Sequence, residues 1–202
     1  YSLDPAKSAT FVAADIKPSL QGVEIALRTD FKNKETKSIN IISPLLGRFN
    51  VANLLAAIAA AVALGISLER IADVIPQLQG AVGRMQRVPS ANGCFIVDYA
   101  HTPDALSQVL ASLKTHCKGQ LWAVFGCGGD RDAGKRPLMA QAGLAGADKV
   151  VLTADNPRTE DPNLILQDMQ AGMTSEQYQR THIEPARQTA IEYAVKQAAP
   201  AD

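Results

Sequence analysis

Arg131 and Arg158 are the side chains in this sequence whose type and setting best suit small-molecule chemistry. Arg131 stands in the stretch Gly126-Cys127-Gly128-Gly129-Asp130-Arg131-Asp132, and Arg158 closes Asp155-Asn156-Pro157-Arg158. A guanidinium offers its donors as a planar fork that fits a carboxylate bidentately, so two converging forks would hold an acid group. Asn156 adds an amide donor and acceptor, which suits an amino-acid ligand. The competing arrangement is local: each arginine could instead pair with Asp130, Asp132 or Glu160. The residues alone leave that choice open.

Gly126, Gly128 and Gly129 would let main-chain amides approach an anion in front of a helix N-terminus, or would serve only a tight strand-to-helix turn. A dinucleotide fingerprint is not formed, because Arg131 holds the sixth position of G-x-G-x-x-G. His101, near Asp98 in Asp98-Tyr99-Ala100-His101-Thr102-Pro103-Asp104, is either a proton acceptor or a loop residue bonded to main chain. His116 is expected late in a helix and His182 in a strand, which argues against a three-histidine zinc site. No metal site is expected. No serine elbow or Cys–His pair supports nucleophilic catalysis. No G-x-x-x-x-G-K-[ST] stretch occurs, so nothing in these residues cradles a triphosphate unaided.

These loops can act together only if one sheet carries them at one rim. From residue 93 onward the pattern is strand, loop, helix, repeated, with strands expected at Phe95–Tyr99, Leu121–Phe125, Lys149–Thr153 and Arg180–Ile183. Pro103, Pro137, Pro162 and Pro185 mark the expected first helical positions, where a missing N–H costs nothing. Four such units imply an α/β fold: a mainly parallel, doubly wound, Rossmann-like sheet with ligands at the carboxyl ends of its strands.

Upstream the periods differ. Val23, Ile25 and Leu27 alternate with Glu24, Ala26 and Arg28; Asp30–Ser38 turns the chain and Ile39–Leu46 returns, giving an antiparallel pair. Leu54, Leu55, Ile58, Val62 and many alanines predict a helix packed on most sides and ended by Gly65. Ser67 caps a second helix carrying Ile71, Val74, Ile75 and Leu78, shortened by Pro76. Gly80 and Gly83 bracket the expected boundary between residues 1–82 and 83–202.

The 202 residues carry 20 Lys+Arg and 20 Asp+Glu. A zero balance argues against a chain that neutralises phosphate backbones or anionic membranes, so neither nucleic acid nor membrane is an expected partner. An apolar fraction of 47% excludes wholesale disorder. The longest apolar run, Leu54–Ile66, falls short of the roughly 20 residues a bilayer span needs. Cys94, Cys117 and Cys127 form no CxxC pair, as in a reducing cytoplasm. The start YSLDPAKSAT has no export signal, and together with an abrupt end at Asp202 it suggests a piece of a longer chain.

Taken together, five stretches resemble the MurE type of Mur ligase: Gly47-Arg48-Phe49-Asn50-Val51-Ala52-Asn53 with Ala56-Ala57; Gly83-Arg84-Met85; Asp98 to Asp104; Phe125 to Asp132; and Asp155 to Arg158. They occur in the family's order, over about Gly47 to Gly172. The resemblance implies the end of a central ATPase domain in residues 1–82, then most of a Rossmann-like C-terminal domain. It implies an ATP- and Mg²⁺-dependent, monomeric, cytoplasmic ligase of peptidoglycan precursor synthesis. That ligase adds meso-diaminopimelate to UDP-MurNAc-L-Ala-D-Glu through an acyl phosphate. By carry-over Asn53, Arg84, Asp98 and His101 belong to the ATP site, and Arg131, Asp155, Asn156, Pro157 and Arg158 to the diaminopimelate pocket. No catalytic residue is assigned in this chain; the P-loop, the Mg²⁺ ligands and the family's modified lysine would lie upstream.

Gln86 departs from the glutamate usual after Gly-Arg-Met, and the family's Gly-Lys-Gly-His-Glu segment does not occur. This chain alone is therefore expected to be inactive. Two other readings stand beside the first: a ligase of the same type that adds L-lysine, and a non-catalytic binding module of the same fold.

Overall fold

The structure is a computed structural model that describes residues 1–30, 36–90 and 93–202. It divides into two compact units, Tyr1–Gln86 and Arg87–Asp202.

In the first unit, strands β1 (Phe11–Ser19), β2 (Gly22–Thr29) and β3 (Lys37–Ser43) form an antiparallel sheet in that order. The expected pair is thus a triplet. Strand β1 hides from a period-of-two reading because Phe11, Val12 and Ala13 are all buried and the register slips between Ala13 and Asp15. Pro18 is tolerated there because β1 lies at the sheet edge. Most of the turn expected over Asp30–Ser38 lies outside the described residues.

Helix α1 (Arg48–Ala63) lays Val51, Leu54, Leu55 and Ile58 on this sheet, against Ile25, Leu27 and Ile41. Burying each such side chain contributes about 1.5–3 kcal/mol. The expectation of a helix packed on most sides is corrected: Asn53, Ala57 and Ala60 are exposed. Alanine is apolar enough to suggest burial and small enough not to require it. Gly65 follows the helix at φ 89°. Helix α2 (Leu68–Val74) starts where Ser67 accepts Arg70 N–H at 3.3 Å, and Pro76 falls in the 3-10 turn Ile75–Gln77 that ends it. Of its four apolar positions Ile75 is buried and Ile71 half-buried, whereas Val74 and Leu78 are exposed.

Strand β4 (Gln86–Val88), at the boundary, pairs with β5 (Phe95–Val97). In the second unit β6 (Trp122–Phe125), β7 (Lys149–Leu152) and β8 (Thr181–Ile183) form a parallel sheet in that order, with Val124, Val151 and His182 in register. Helices α3 (Pro103–Lys114), α4 (Lys135–Gly146), α5 (Pro162–Gln170), α6 (Ser175–Gln179) and α7 (Arg187–Gln197) complete it. One face of the sheet buries Phe125 and Leu152 against Leu106, Leu110, Met139, Leu144 and Met169. The other packs Val151 against Ala190 and Ala194 of α7, so helices cover both faces.

Two expectations need correction here. Phe95–Tyr99 is not a fourth strand of the described parallel ladder; it pairs with β4 and stops at Val97, where the Asp98 carboxylate turns the chain by accepting Ala100 N–H at 2.8 Å. Pro103 and Pro162 do open α3 and α5, but Pro137 is the third residue of α4 and Pro185 precedes α7. The first helical N–H groups have no partner within the helix, so proline fits anywhere in that turn. Helix α4 sits hard on the sheet: a Cβ on Gly143 would lie 2.3 Å from the Phe125 ring.

Candidate functional site

Parallel pairing of β6 with β7 brings the loops that follow them side by side at the carboxyl rim. There Asp98, His101, Arg131, Asp155, Asn156 and Arg158 line one cleft of about 690 Å³ in the second unit. Lys135, Arg136 and Arg187 join them, as do Asp132, Cys127 and Thr102.

The loops are stitched together by main chain. Gly129 N–H donates to Asn156 O at 2.9 Å, and Asp130 N–H to Glu160 Oε1 at 2.5 Å. Thr159 Oγ1 donates to Asp130 Oδ1 at 2.7 Å, and Arg158 Nη1 to Gly129 O at 2.5 Å. This decides the role of the glycines. A Cβ on Gly129 would fall 1.9 Å from Pro157 O, and one on Gly126 2.1 Å from Thr153 O. Of the two readings, the tight turn accounts for Gly129: its amide and that of Asp130 are committed to the neighbouring loop. The glycines let two turns touch.

Asp130 and Arg158 are both left-handed, each at φ 51°. That conformation costs a non-glycine residue about 1–2 kcal/mol, so the cross-loop bonds must hold it. The Asn156 side chain helps, accepting Arg158 N–H at 3.3 Å.

Glu160 and Asp168 are not partners of Arg131 or Arg158. They pair instead with Arg136, whose Nη2 and Nη1 lie 2.7 and 2.8 Å from them. Among the described residues no ion pair forms at Arg131, Arg158 or Arg187. The local salt bridges weighed against a ligand site are therefore absent from that set. With Arg136 neutralised and Lys135 3.9 Å from Asp132, the cleft keeps three arginines beside the exposed Asp155. That pattern fits a ligand with carboxylates and an ammonium group.

His101 is exposed, and its Nδ1 lies 3.0 Å from Tyr99 O. A carbonyl only accepts, so Nδ1 carries the proton and Nε2 is the other ring nitrogen. The Tyr99 ring packs edge-on against it at 5.1 Å. Burial pushes the Cys127 thiol up to about 11, which keeps it protonated. Pro157 does not line the cleft; its carbonyl accepts Glu160 N–H at 3.0 Å. Asn53, exposed on α1, and Arg84 belong to the first unit.

Arg136 is the cleft-lining residue that sequence reasoning passed over. Met139, Ala140 and Gly143, three, four and seven residues on, share its buried helix face, and that periodicity was the available signal. Arg187, whose Nη1 donates to Ala154 O at 3.3 Å, gives no comparable signal. Among the described residues no group of His, Cys, Asp or Glu is placed to hold a metal ion.

Residues 83–202 match the Mur ligase glutamate ligase domain, and residues 1–61 match the Mur ligase middle domain. The chain belongs to the Mur ligase family. A Pseudomonas putida relative named UDP-N-acetylmuramoyl-L-alanyl-D-glutamate--2,6-diaminopimelate ligase is 56% identical over 133 residues, 65% of this chain and 27% of its own. The protein of that name from Coxiella burnetii is 43% identical over 192 residues, 95% of this chain and 38% of its own. This Mur ligase chain thus spans about a third of the length of such relatives. A solved structure carrying the same ligase name superposes with a TM-score of 0.77 at 50% identity, covering 97% of this chain and 39% of that one. UDP-N-acetylmuramate-alanine ligase from Thermotoga maritima, at 22% identity and a TM-score of 0.66 over 96% of this chain and 41% of its own, shares the fold.

Proposed function

We propose that this chain belongs to an ATP-dependent ligase that joins meso-diaminopimelate to UDP-MurNAc-L-Ala-D-Glu, with the cleft at the β6–β7 rim as the diaminopimelate site. In this reading residues 1–82 end the ATP-binding domain and 83–202 form most of the C-terminal one. The observation that carries it is the pair Arg131 and Arg158: they share one cleft, lack carboxylate partners among the described residues, and stand beside Asp155 and Asn156. The names of the relatives support the choice of amino acid.

Arg131 and Arg158 grip the distal carboxylate, and Asp155 and Asn156 receive the ammonium end, so the second amine is presented to the reacting carbonyl. When bound, ATP would supply the phosphoryl group that activates the dipeptide's own carboxyl, with ADP leaving; Asn53, Arg84, Asp98 and His101 are the residues we assign to holding it. Orientation accounts for much of the rate in such a transfer. Lysine keeps the distal ammonium but lacks the carboxylate beside it, so its cation would stand near three guanidinium groups with no anion to pair them, and it is disfavoured for that reason.

The test is phosphate release from ATP by the full-length protein with the UDP-dipeptide, comparing diaminopimelate with lysine. Turnover with diaminopimelate and little with lysine is expected. Equal turnover would remove the distal carboxylate from the argument.

A further inference from the structure

Arg136 is 3% exposed, an unfavourable place for a charge unless it is fully paired. Its fork meets Glu160 at 2.7 Å and Asp168 at 2.8 Å, while its Nε is buried without a hydrogen-bond partner among the described residues. Networks of this kind are often no more stabilising than hydrophobic replacements of equal volume. What this one joins is more telling than its stability.

Glu160 Oε1 accepts from Arg136 and also from Asp130 N–H at 2.5 Å. Asp130 directly precedes Arg131. Glu160 itself lies two residues past Arg158, and its own N–H is bonded to Pro157 O at 3.0 Å. One carboxylate oxygen therefore ties the first turn of α4 to both loops that carry the cleft arginines. The two left-handed residues, Asp130 and Arg158, flank this knot.

We infer that Arg136 is a positioning residue: acting through Glu160, it fixes the placement of Arg131 and Arg158 and so their joint grip on the distal carboxylate. Its nitrogens are spent or buried, so it does not itself contact the ligand. The choice of ligand rests on the diaminopimelate reading; the loop geometry does not.

The experiment compares wild type, Arg136→Lys and Glu160→Gln in the full-length protein. Lysine keeps the charge but not the planar fork that reaches two carboxylates, and glutamine keeps the shape of Glu160 without its charge. Hydrogen exchange at residues 126–131 and 155–160 should quicken by about tenfold or more in both variants. KM for diaminopimelate should rise by about tenfold while KM for ATP stays within about twofold. Unchanged exchange, faster exchange with unchanged diaminopimelate KM, or equal rises in both KM values would each overturn the proposal. Should either variant fail to fold, the other carries the comparison. A wild type inactive with diaminopimelate would sink the ligand assignment, while the exchange data would still report whether Arg136 binds the loops together.

Discussion

Arg158 Nη1 donates to the carbonyl of Gly129 at 2.5 Å, so the guanidinium from one rim loop is seated on the backbone of the other. A Cβ on Gly128 would lie 2.9 Å from that same Nη1 and 3.9 Å from Arg131 Cγ. The two arginines therefore face a single space, with one arm of Arg158 already used to hold its orientation.

Arg158→Ala removes the seat on Gly129 and, on the diaminopimelate reading, the proposed ligand contact. In the full-length ligase it should raise KM for diaminopimelate by at least about tenfold, roughly 1.4 kcal/mol of lost charged hydrogen bonding. Steady-state phosphate release against diaminopimelate concentration checks this. An unchanged KM removes Arg158 from the site.

Gly129→Ala puts a methyl group 1.9 Å from Pro157 O, and neither backbone segment can yield without breaking the Gly129–Asn156 hydrogen bond. A loss of about 1–3 kcal/mol is expected, the usual range for forced overpacking. Urea denaturation of wild type and variant would measure it, and equal midpoints would show the loops to be compliant.

The Arg136 guanidinium and Asp130 N–H hold the Glu160 carboxyl below its ordinary value of 4.5. Asp148 is likewise held below 3.8, by Lys114 Nζ first and by Leu121 N–H second. The unfolded chain binds protons more readily than the folded one in this range, so stability rises with pH there. The contribution is complete above the ordinary carboxylate range and fades as pH falls through the lowered folded values. Melting temperature measured from pH 7 down to about pH 3 should drop more steeply in wild type than in Glu160→Gln. Parallel curves would dissociate Glu160 from acid sensitivity.

With its pKa pushed up to about 11 by burial, Cys127 should react with iodoacetamide at pH 8 far more slowly than a free thiol, by about a hundredfold from thiolate fraction alone. Mass spectrometry of the alkylated peptide gives the rate, and modification as fast as glutathione would contradict the burial.

Much of this was legible in the residues. The β6, β7 and β8 strands follow from short apolar runs between turn residues, and Pro103 and Pro162 mark the first positions of α3 and α5. The neighbouring loops bearing Arg131 and Arg158 followed from strand order. Two things were not legible. Strand β1 carries a bulge, which breaks the alternation that marks a strand. Which carboxylate pairs with which arginine depends on three-dimensional packing: Glu160 was considered for Arg131 and Arg158, but burial of α4 gives it to Arg136. Packing was likewise needed to choose between the turn and the anion reading at Gly129, because sequence shows a glycine's freedom and not the partner its amide finds.

Helix α4 touches Phe125 through Gly143, seven residues past Arg136 and so about 10 Å along its axis. The helix thus links the ring of Phe125, on β6, to the rim of the sheet. Side-chain bulk at that distant contact would tilt the far end, carrying Arg136 and the knot at the rim with it. On the diaminopimelate reading, the fit of the ligand would thus be open to adjustment from a contact inside the core.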